Sequence, residues 1–476
     1  MGVFALLALA CSGGNSKDGE DDSVPADDSS VDDSGDDSGD DSGSPGTFSA
    51  VVTPFPTMVN EMYADITLPD AHAIEVACEA PTTDPWPERI VIRSDANKTE
   101  HNVLIDALLA DTTYACTVTD GSEVLGTFDV TTDPLPPEID FTGATVEIRD
   151  VATYVPGWTL YNPTQDSGAG GPGNGADLVV DAMGRVRWYI DWYGYDGDAA
   201  FEYDASAQQF YGGGGFFQIE PITTWDMAGN EIFSWANVGG DHDVDKVGDD
   251  YFILTSEGMN HCVDQRDDAK SLLWSWCASD SHELVDSFAN SLAIRDTAKG
   301  RFVYATMQIK GIIYKLDYAT KEIVWQLKDD GDFTGDVTYP PWMHDLHVID
   351  CPGYDECLLA YVNGVDADHT TYIRQIGIDE TAMEATVVRE WTEKGWEEPK
   401  LGGIDPFGDG RWLIAQGHFL SDPYNDRPSQ LVEVASDDTV DWRLTVATSD
   451  IQVYRARRVA ACDAFHHAGY CPSLEK

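Results

Sequence analysis

Basic residues are scarce in this chain of 476 residues. It has 28 lysines and arginines against 85 aspartates and glutamates, which gives a formal net charge of −57. A surface with so little positive charge repels nucleic acids and anionic membranes. We therefore expect no nucleic-acid partner, and no part of the pattern indicates more than a monomer or a weak oligomer.

Long apolar runs are missing as well. The N-terminal sequence MGVFALLALACSGG holds only about ten consecutive apolar residues, whereas a membrane-spanning helix needs ~20. Small residues before Cys11 are typical of a bacterial lipoprotein signal, in which the cysteine is lipidated after cleavage. We expect residues 1–11 to be this signal. Cys11 would then anchor the protein in the cell envelope, at the outer membrane, with the chain periplasmic or surface-exposed.

The segment 12–47 has almost no apolar residues and contains the repeat DDSGDDSGDDSG. Its like charges repel one another and it offers nothing to bury, so it predicts a disordered tether.

No two cysteines have the CxxC spacing that is typical of structural zinc. Eight cysteines remain after Cys11, in a chain that we expect to meet oxidising conditions. Proximity in sequence predicts four disulfides, although eight cysteines allow 105 connectivities. The expected pairs are Cys78 with Cys116, Cys262 with Cys277, Cys351 with Cys357, and Cys462 with Cys471.

Helical periodicity is nearly absent too. Residues 48–136 consist of short runs with period two, such as AIEVACEA and ERIVIRS, separated by turn residues. This pattern predicts a small β-sandwich. The stretch LLADTTYACTVTDG resembles fibronectin type III modules, and the PLPP run after it marks a domain boundary.

A repeat fills the second region, residues 137–476, in which a strand ends near a tryptophan. The tryptophans are Trp188, Trp235, Trp276, Trp325, Trp391 and Trp442, at intervals of 47, 41, 49, 66 and 51 residues. Propeller blades have roughly 40 to 50 residues and four strands each. We therefore predict an all-β fold, a six-bladed β-propeller preceded by a small β-sandwich, with these tryptophans packed between blades.

Four repeats continue with a strand, a turn and a strand of the same shape. These segments begin at His242, Asn290, His344 and Gly402. Equivalent positions of successive blades surround one axis, so the first three side chains are expected to meet near the channel mouth. Two histidines with an amide suit nucleophilic and acid–base chemistry, while histidines with only a structural role remain the alternative.

The decapeptide PWMHDLHVID, residues 341–350, places His344 three positions before His347. Residues i and i+3 of a strand point to opposite faces, so these histidines are not expected to share a metal ion. We predict no metal and no cofactor. The acidic run DDGDFTGD at 329–336 leaves a calcium site as an alternative.

The motifs HDV, WSW, NS, IIYKLDYATKEIVWQL, MHDLHVID, YVNG and YRARRV follow one another between about residues 145 and 460. In this order they resemble bacterial arylsulfotransferases that need no nucleotide sulfate donor. The resemblance implies a ping-pong transfer of a sulfuryl group from a small phenolic sulfate to a phenol. It implies that His344 is the nucleophile and carries a sulfohistidine, with His242 and Asn290 assisting.

Two positions depart from that family's pattern. Phe288 stands where a histidine is expected, and Gln308 aligns with an arginine that grips the sulfate. Lys310 and Arg374 are the candidate cations to replace it in substrate binding. A propeller that binds a partner without catalysis is therefore kept as a second hypothesis.

Overall fold

The computed structural model of the chain describes residues 47–137, 139, 144–154, 156–165, 174–193, 200–213, 221–235, 240–257, 260–281, 289–335, 337, 342–364, 370–417, 427–446, 451–459 and 465. The expected signal with Cys11 and the expected tether up to residue 46 lie outside this set. None of the helices in these residues is long and apolar enough to cross a membrane.

The first 85 residues of the described chain form one sheet of five strands, whose two longest members change partners along their length. The strands are β1 (Ser49–Pro54), β2 (Met62–Ala80), β3 (Glu88–Ile105), β4 (Thr113–Asp120) and β5 (Glu123–Thr131). Residues 62–67 of β2 pair with β1 and the end of β3, whereas residues 74–80 pair with the start of β3 and with β4. Ala64 and Val76, one from each half, belong to the same buried cluster. The bent sheet therefore encloses its own core as a sandwich.

The remaining strands build six further sheets. They are β6 (Thr145–Ile148), β7 (Trp158–Gln165), β8 (Asn174–Val180), β9 (Val186–Tyr193), β10 (Ala200–Asp204), β11 (Gln209–Gly213), β12 (Ile222–Asp226), β13 (Glu231–Trp235), β14 (Gly240–Val247), β15 (Asp250–Glu257), β16 (Asn260–Arg266), β17 (Leu272–Cys277), β18 (Ala289–Thr297), β19 (Gly300–Met307), β20 (Ile312–Asp317), β21 (Ile323–Leu327), β22 (Thr334–Gly335), β23 (Met343–Ile349), β24 (Glu356–Val362), β25 (Tyr372–Asp379), β26 (Glu384–Trp391), β27 (Gly403–Pro406), β28 (Trp412–Gln416), β29 (Gln430–Val434), β30 (Val440–Thr445) and β31 (Ile451–Val459). Two 3₁₀ helices, Ala278–Ser281 and Gln308–Lys310, interrupt them.

Each sheet is one blade of a propeller. Blade 1 combines β31 with β7, β8 and β9; blades 2, 3 and 4 are β10–β13, β14–β17 and β18–β21; blades 5 and 6 are β23–β26 and β27–β30, with β22 and β6 as extra outer strands. The inner strands β31, β10, β14, β18, β23 and β27 contact one another in a closed circle. The last strand thus completes the first blade and locks the ring. The predicted fold, an all-β six-bladed propeller preceded by a small sandwich, is confirmed.

The six repeated tryptophans all lie on the fourth strand of a blade and are buried. The indole N–H of Trp188 in blade 1 donates to the carbonyl of Met227 in blade 2, at 3.0 Å. Trp442 in blade 6 likewise donates to Ala182 in blade 1, at 2.8 Å. A large apolar ring with one donor can join two blades in this way, which explains the period seen in the sequence.

The sandwich and the propeller share a hydrophobic cluster. Phe55, Met58 and Ala107 of the sandwich lie in the same buried cluster as Trp158 and Tyr189 of blade 1. The two folded regions therefore pack against each other over a common apolar interface.

Three of the four predicted disulfides are confirmed. They are Cys78–Cys116 between β2 and β4, Cys262–Cys277 between β16 and β17, and Cys351–Cys357 at the turn between β23 and β24. The fourth expected pair, Cys462 with Cys471, lies outside the described residues.

Candidate functional site

The candidate site lies where the inner strands of blades 3, 4 and 5 begin. His242 is on β14, Asn290 is on β18 and His344 is on β23, and all three side chains are buried. Each strand has an irregular register at this place: between Gly240 and Val244, between Ala289 and Ser291, and between His344 and Leu346. Such bulges turn side chains away from the regular alternation of a strand.

The residue after each of these three has an architectural role. Asp243 accepts a hydrogen bond from the backbone N–H of Leu292 in the next blade, at 2.8 Å. Ser291 accepts one from Leu346 in the same way, at 2.8 Å. Asp345 then accepts one from Ile404, also at 2.8 Å.

These bonds link blade 3 to blade 4, blade 4 to blade 5, and blade 5 to blade 6. The equivalent position in blade 6 is Gly403, preceded by Gly402 at the position of the histidines. Gly402 has a φ of +114°, and a Cβ on it would lie 2.0 Å from the Tyr361 ring. Only glycine fits there, so the ring of polar side chains ends at blade 5.

His344 is almost fully buried. Its Nδ1 contacts the Asn363 side-chain oxygen, and its Nε2 lies 3.1 Å from the Gln308 amide nitrogen. The imidazole meets the Tyr454 ring edge to face, with centroids 5.9 Å apart. Burial is the main cause that lowers the pKa of His344 to about 3; His242 and Arg455 act in the same direction, and the Asn363 hydrogen bond and Asp345 oppose them. The imidazole is therefore neutral at physiological pH.

A guanidinium supplies the charge at this place. Arg455 of β31 donates to the Asp243 carboxylate at 2.5 Å and to the backbone carbonyl of Asn290 at 3.1 Å. The Nδ2 of Asn290 donates in turn to the Tyr454 hydroxyl, at 3.3 Å. Asn290 thus connects the cation to the aromatic ring that touches His344, and the three predicted residues do come together around Arg455 and Tyr454.

A second arginine of β31 continues the ion pairs into the channel. Arg457 donates to the two oxygens of Asp345 at 2.8 and 3.1 Å, and to Glu202 at 2.6 Å. Beyond this layer lies a cavity of about 320 Å³ that residues of all six inner strands line, with Asp245, His347 and Asp405 among them. Burial, with the negative charges of Glu202 and Asp243, raises the pKa of Asp245 to about 7.

His347 differs from the sequence-based expectation. On a regular strand it would point to the face opposite His344, towards a neighbouring sheet or solvent, but it lines this cavity, 3.4 Å from Asp345. The register shift after His344 is the reason, because one extra residue reverses the faces that follow. The two histidines still serve different places. Across the described ranges, no group of three histidine, cysteine or acidic side chains is arranged to hold a metal ion, at 329–335 or elsewhere.

Two expected substrate-binding residues lie elsewhere. Arg374 is on β25, the third strand of blade 5, and its Nε donates to Glu390 on the fourth strand, β26, at 2.7 Å. It is two strands away from the inner strand, and strands are about 4.8 Å apart. Lys310 ends the 3₁₀ helix that Gln308 begins, and its side chain is exposed. Phe288 lies outside the described residues.

Four residues of the site were not assigned from the sequence. Arg455 and Arg457 belong to the YRARRV run, and their spacing of two along a strand puts both on one face, a signal that predicts two cations in the channel. Gln308 contacts the nucleophile candidate although it replaces an expected arginine. Asn363 belongs to the YVNG motif, but only the fold brings it to His344.

No family model matches the chain, and no curated protein does. Solved structures with a similar fold include a protein of unknown function from Bacteroides caccae, at 13% identity and a TM-score of 0.43, covering 63% of this chain and 99% of that one. TolB from Acinetobacter baumannii shares 12% identity at a TM-score of 0.41, over 74% and 81% of the two chains. The periplasmic gluconolactonase PpgL from Pseudomonas aeruginosa shares 13% at 0.38, over 82% and 99%. Similarity at this level carries no argument about function.

Proposed function

We propose that the chain transfers a sulfuryl group from a phenolic sulfate ester to a phenol, with His344 as the nucleophile. The observation that carries the proposal is a buried imidazole whose pKa is lowered to about 3. A neutral imidazole has a free lone pair at the pH of the cell envelope, and a nucleophile needs that lone pair.

The reaction consists of two displacements at sulfur. An imidazole nitrogen of His344 attacks the sulfur atom of the donor, an N–S bond forms, and the bond between sulfur and the aryl oxygen breaks. The donor leaves as phenolate and takes up a proton. The hydroxyl oxygen of the acceptor phenol then attacks the same sulfur, the N–S bond breaks, and the acceptor proton is released. His242 is the supporting acid or charge stabiliser for the leaving phenolate.

The transferred group is an anion, so its transfer needs a fixed positive charge. Arg455 supports this part of the proposal better than Lys310 or Arg374, because it is buried beside Asn290 and its charge reaches His344. A guanidinium already oriented by Asp243 needs no reorganisation during the reaction.

The second hypothesis is a propeller that binds a ligand or partner without catalysis. The position of Gln308 favours it, since an amide stands where the family has an arginine and its nitrogen lies 3.1 Å from His344 Nε2. A neutral amide stabilises a sulfuryl anion less than an arginine does.

Mass spectrometry after incubation with a chromogenic aryl sulfate separates the two hypotheses. We expect release of the phenol and the gain of one sulfuryl group on the peptide that contains His344. His344→Gln should lose both, while His347→Gln, in the cavity beyond the ion pairs, serves as the matched control. A folded protein with neither adduct nor phenol release supports the binding propeller.

We further propose that the protein is a lipoprotein of the cell envelope, anchored through Cys11. The support is the small-residue run before that cysteine and the three disulfides, which form in oxidising compartments. Full-length protein expressed in a Gram-negative host should partition with membranes. Cys11→Ala should abolish this partitioning, and membrane association that survives the substitution would contradict the anchor.

A further inference from the structure

Asn363 directly follows β24 and has a fixed amide orientation. Its side-chain nitrogen donates to the backbone carbonyls of Glu398 and Leu401, each at 2.9 Å. A primary amide has two N–H hydrogens, and two carbonyl acceptors use both of them. The oxygen of Asn363 must therefore face the other way, where it contacts Nδ1 of His344.

This orientation determines where the imidazole has its hydrogen. An amide oxygen only accepts hydrogen bonds, so Nδ1 of His344 has to be the donor. In a neutral imidazole with a hydrogen on Nδ1, the lone pair is on Nε2. The Gln308 amide nitrogen lies 3.1 Å from Nε2 and 3.4 Å from Nδ1, so it lies beside both nitrogens and does not select between them. The contact with Asn363 alone assigns the tautomer.

The surroundings make this choice rigid. Asn363 and His344 are both almost fully buried, and Glu398, whose carbonyl holds the amide, is buried as well. The hydroxyl of Thr371 donates to the same carbonyl at 3.3 Å, and the backbone N–H of Glu398 donates to that hydroxyl at 2.8 Å. A flip of the amide would place its oxygen against two carbonyl oxygens and leave buried groups without partners.

We propose that Asn363 is a positioning residue, which fixes the Nδ1–H tautomer of His344 so that Nε2 is the nitrogen that attacks sulfur. The inference deepens the proposed function and rests on it for the reaction. The tautomer itself is a property of the protein without substrate. The wrong tautomer would direct N–H at the sulfuryl group, and a nitrogen with a hydrogen and no lone pair cannot form the N–S bond.

The test is a ¹H–¹⁵N long-range correlation spectrum of the full chain labelled with ¹⁵N-histidine. The chain has 11 histidines, and the ring that disappears in His344→Gln identifies His344. We expect a protonated Nδ1 and an unprotonated Nε2, unchanged between pH 7 and pH 5. A hydrogen on Nε2 in the unsubstituted protein would overturn the proposal without any variant.

Variants then separate positioning from a merely structural role. Asn363→Leu should give a mixture of tautomers and reduce kcat/KM for phenol release by roughly 10²-fold or more, as expected when a catalytic imidazole loses its orienting partner. Gln308→Leu removes the other polar contact of the ring and should retain the Nδ1–H form. Retention of a pure Nδ1–H ring in Asn363→Leu would contradict the role of Asn363.

Asn363→Asp allows a further measurement, the pKa of His344, which should not change if Asn363 has only a structural role. A carboxylate next to Nδ1–H keeps the tautomer but stabilises the imidazolium, so His344 should become protonated at a higher pH than in the original chain.

The two proposals fail separately. A correct tautomer without sulfuryl transfer would remove the proposed function and leave the assignment of the tautomer to Asn363 intact. Sulfuryl transfer by a protein whose Nε2 has a hydrogen would keep the function and remove the role of Asn363.

Discussion

At the residue scale, the two side chains of each His-Asp dipeptide, His242-Asp243 and His344-Asp345, have different roles. Asp243 and Asp345 each bind a backbone N–H of the next blade and one arginine of β31. Those contacts hold the ring of blades together. The bulges turn the two histidines towards the channel mouth, and their ring nitrogens contact other groups. The dipeptide therefore joins a structural residue to a candidate catalytic one.

The pH dependence of stability should report the environment of His344. Its pKa is about 3 in the folded protein, below the ordinary value near 6.5, so the unfolded chain binds the proton first as the pH falls. Between about pH 6.5 and pH 3 this residue should cost up to about 1.4 kcal/mol of stability per pH unit. Urea unfolding at several pH values should therefore be less acid-sensitive for His344→Gln. Equal slopes for the two proteins would show that the imidazole titrates normally.

Arg455 and Asp243 should behave as a buried pair. Arg455→Gln leaves the Asp243 carboxylate without its counter-charge, and we expect a loss of roughly 3–5 kcal/mol in the free energy of unfolding. The double variant Arg455→Gln with Asp243→Asn removes both charges and should recover much of that stability. Sulfuryl transfer should stay lost in both variants, since the guanidinium is absent. Full activity in a stable double variant would exclude Arg455 as the cation that binds the transferred group.

At the scale of elements, the inner strands determine both the closure of the ring and the site. Three of them have a register shift at the candidate residue, and β31 supplies the arginines from the end of the chain. Because β31 pairs with β7 of blade 1, the cation of the site depends on closure of the propeller. Folding and assembly of the site are thus one event.

A substitution at Gly403 on β27 tests how closely the inner strands pack. A Cβ on Gly403 would lie 2.7 Å from the Asp345 carboxylate and 2.8 Å from Cγ of Arg455. Gly403→Ala should therefore displace the ion pairs and destabilise the protein by roughly 1–3 kcal/mol, as overpacking does. Gly408→Ala is the control, because nothing lies within 4 Å of its Cβ position. Thermal unfolding of the two variants makes the comparison, and equal melting temperatures would contradict the close packing.

At the scale of the whole molecule, the sandwich is held to the propeller by charges as well as by apolar contacts. Arg187 of blade 1 is fully buried and binds both oxygens of Glu88 of the sandwich at 2.7 Å, and Asp181 at 2.7 Å. Its partner Glu88 also accepts from the Tyr114 hydroxyl, at 2.8 Å. The two carboxylates compensate the charge of the buried guanidinium, and separation of the two regions would break its pair with Glu88.

Glu61 should make the stability contributed by this interface depend on pH. Its carboxylate is fully buried and neither oxygen has a hydrogen-bond partner among the described residues. Burial raises the pKa of Glu61 well above its usual range, and Asp106 and Asp226 raise it further. Below about pH 4.5 both states hold the proton. As the pH rises from there, the unfolded chain ionises first, so stability falls until the pKa of the folded state is reached.

Glu61→Gln should therefore stabilise the protein at neutral pH and remove this part of the pH dependence. An amide imitates the neutral acid and has no charge to bury. Glu79→Gln, an exposed position on β2, the strand that follows Glu61, is the matched control. Denaturant unfolding at pH 5 and pH 8 measures the effect, and a Glu61→Gln protein that is less stable at pH 8 would contradict it.

Much of the fold could be predicted from the sequence because the signals that indicate it are local. Period-two alternation and turn residues indicate strands wherever they occur, and Trp188 to Trp442 mark one strand per blade because each joins the next blade. Cys262 pairs with Cys277, and Cys351 with Cys357, because each pair lies in one short hairpin, whereas Cys78 and Cys116 pair because β2 and β4 are neighbours in the sheet. The expected limits of the tether and of the two folded regions stay predictions.

The site was only partly predictable. Its histidines and Asn290 could be found because equivalent positions of a repeat must surround one axis. Arg374 was a wrong choice of channel cation, since the distance of a strand from the axis depends on which strand of the blade it is, and a lone arginine does not show this. His347 was misplaced by a bulge, which one sequence does not reveal.

The sequence by itself determined the class of fold, the number of blades and the candidates His242, Asn290 and His344, because these follow from local periodicity and from repetition. Tertiary structure alone decided that Arg455 provides the charge, that Gln308 of blade 4 lies against the His344 ring of blade 5, and that Glu61 is buried at the junction. Those contacts join residues from different blades or from separate folded regions. Their partners become neighbours only when β31 closes the ring and the sandwich packs on blade 1.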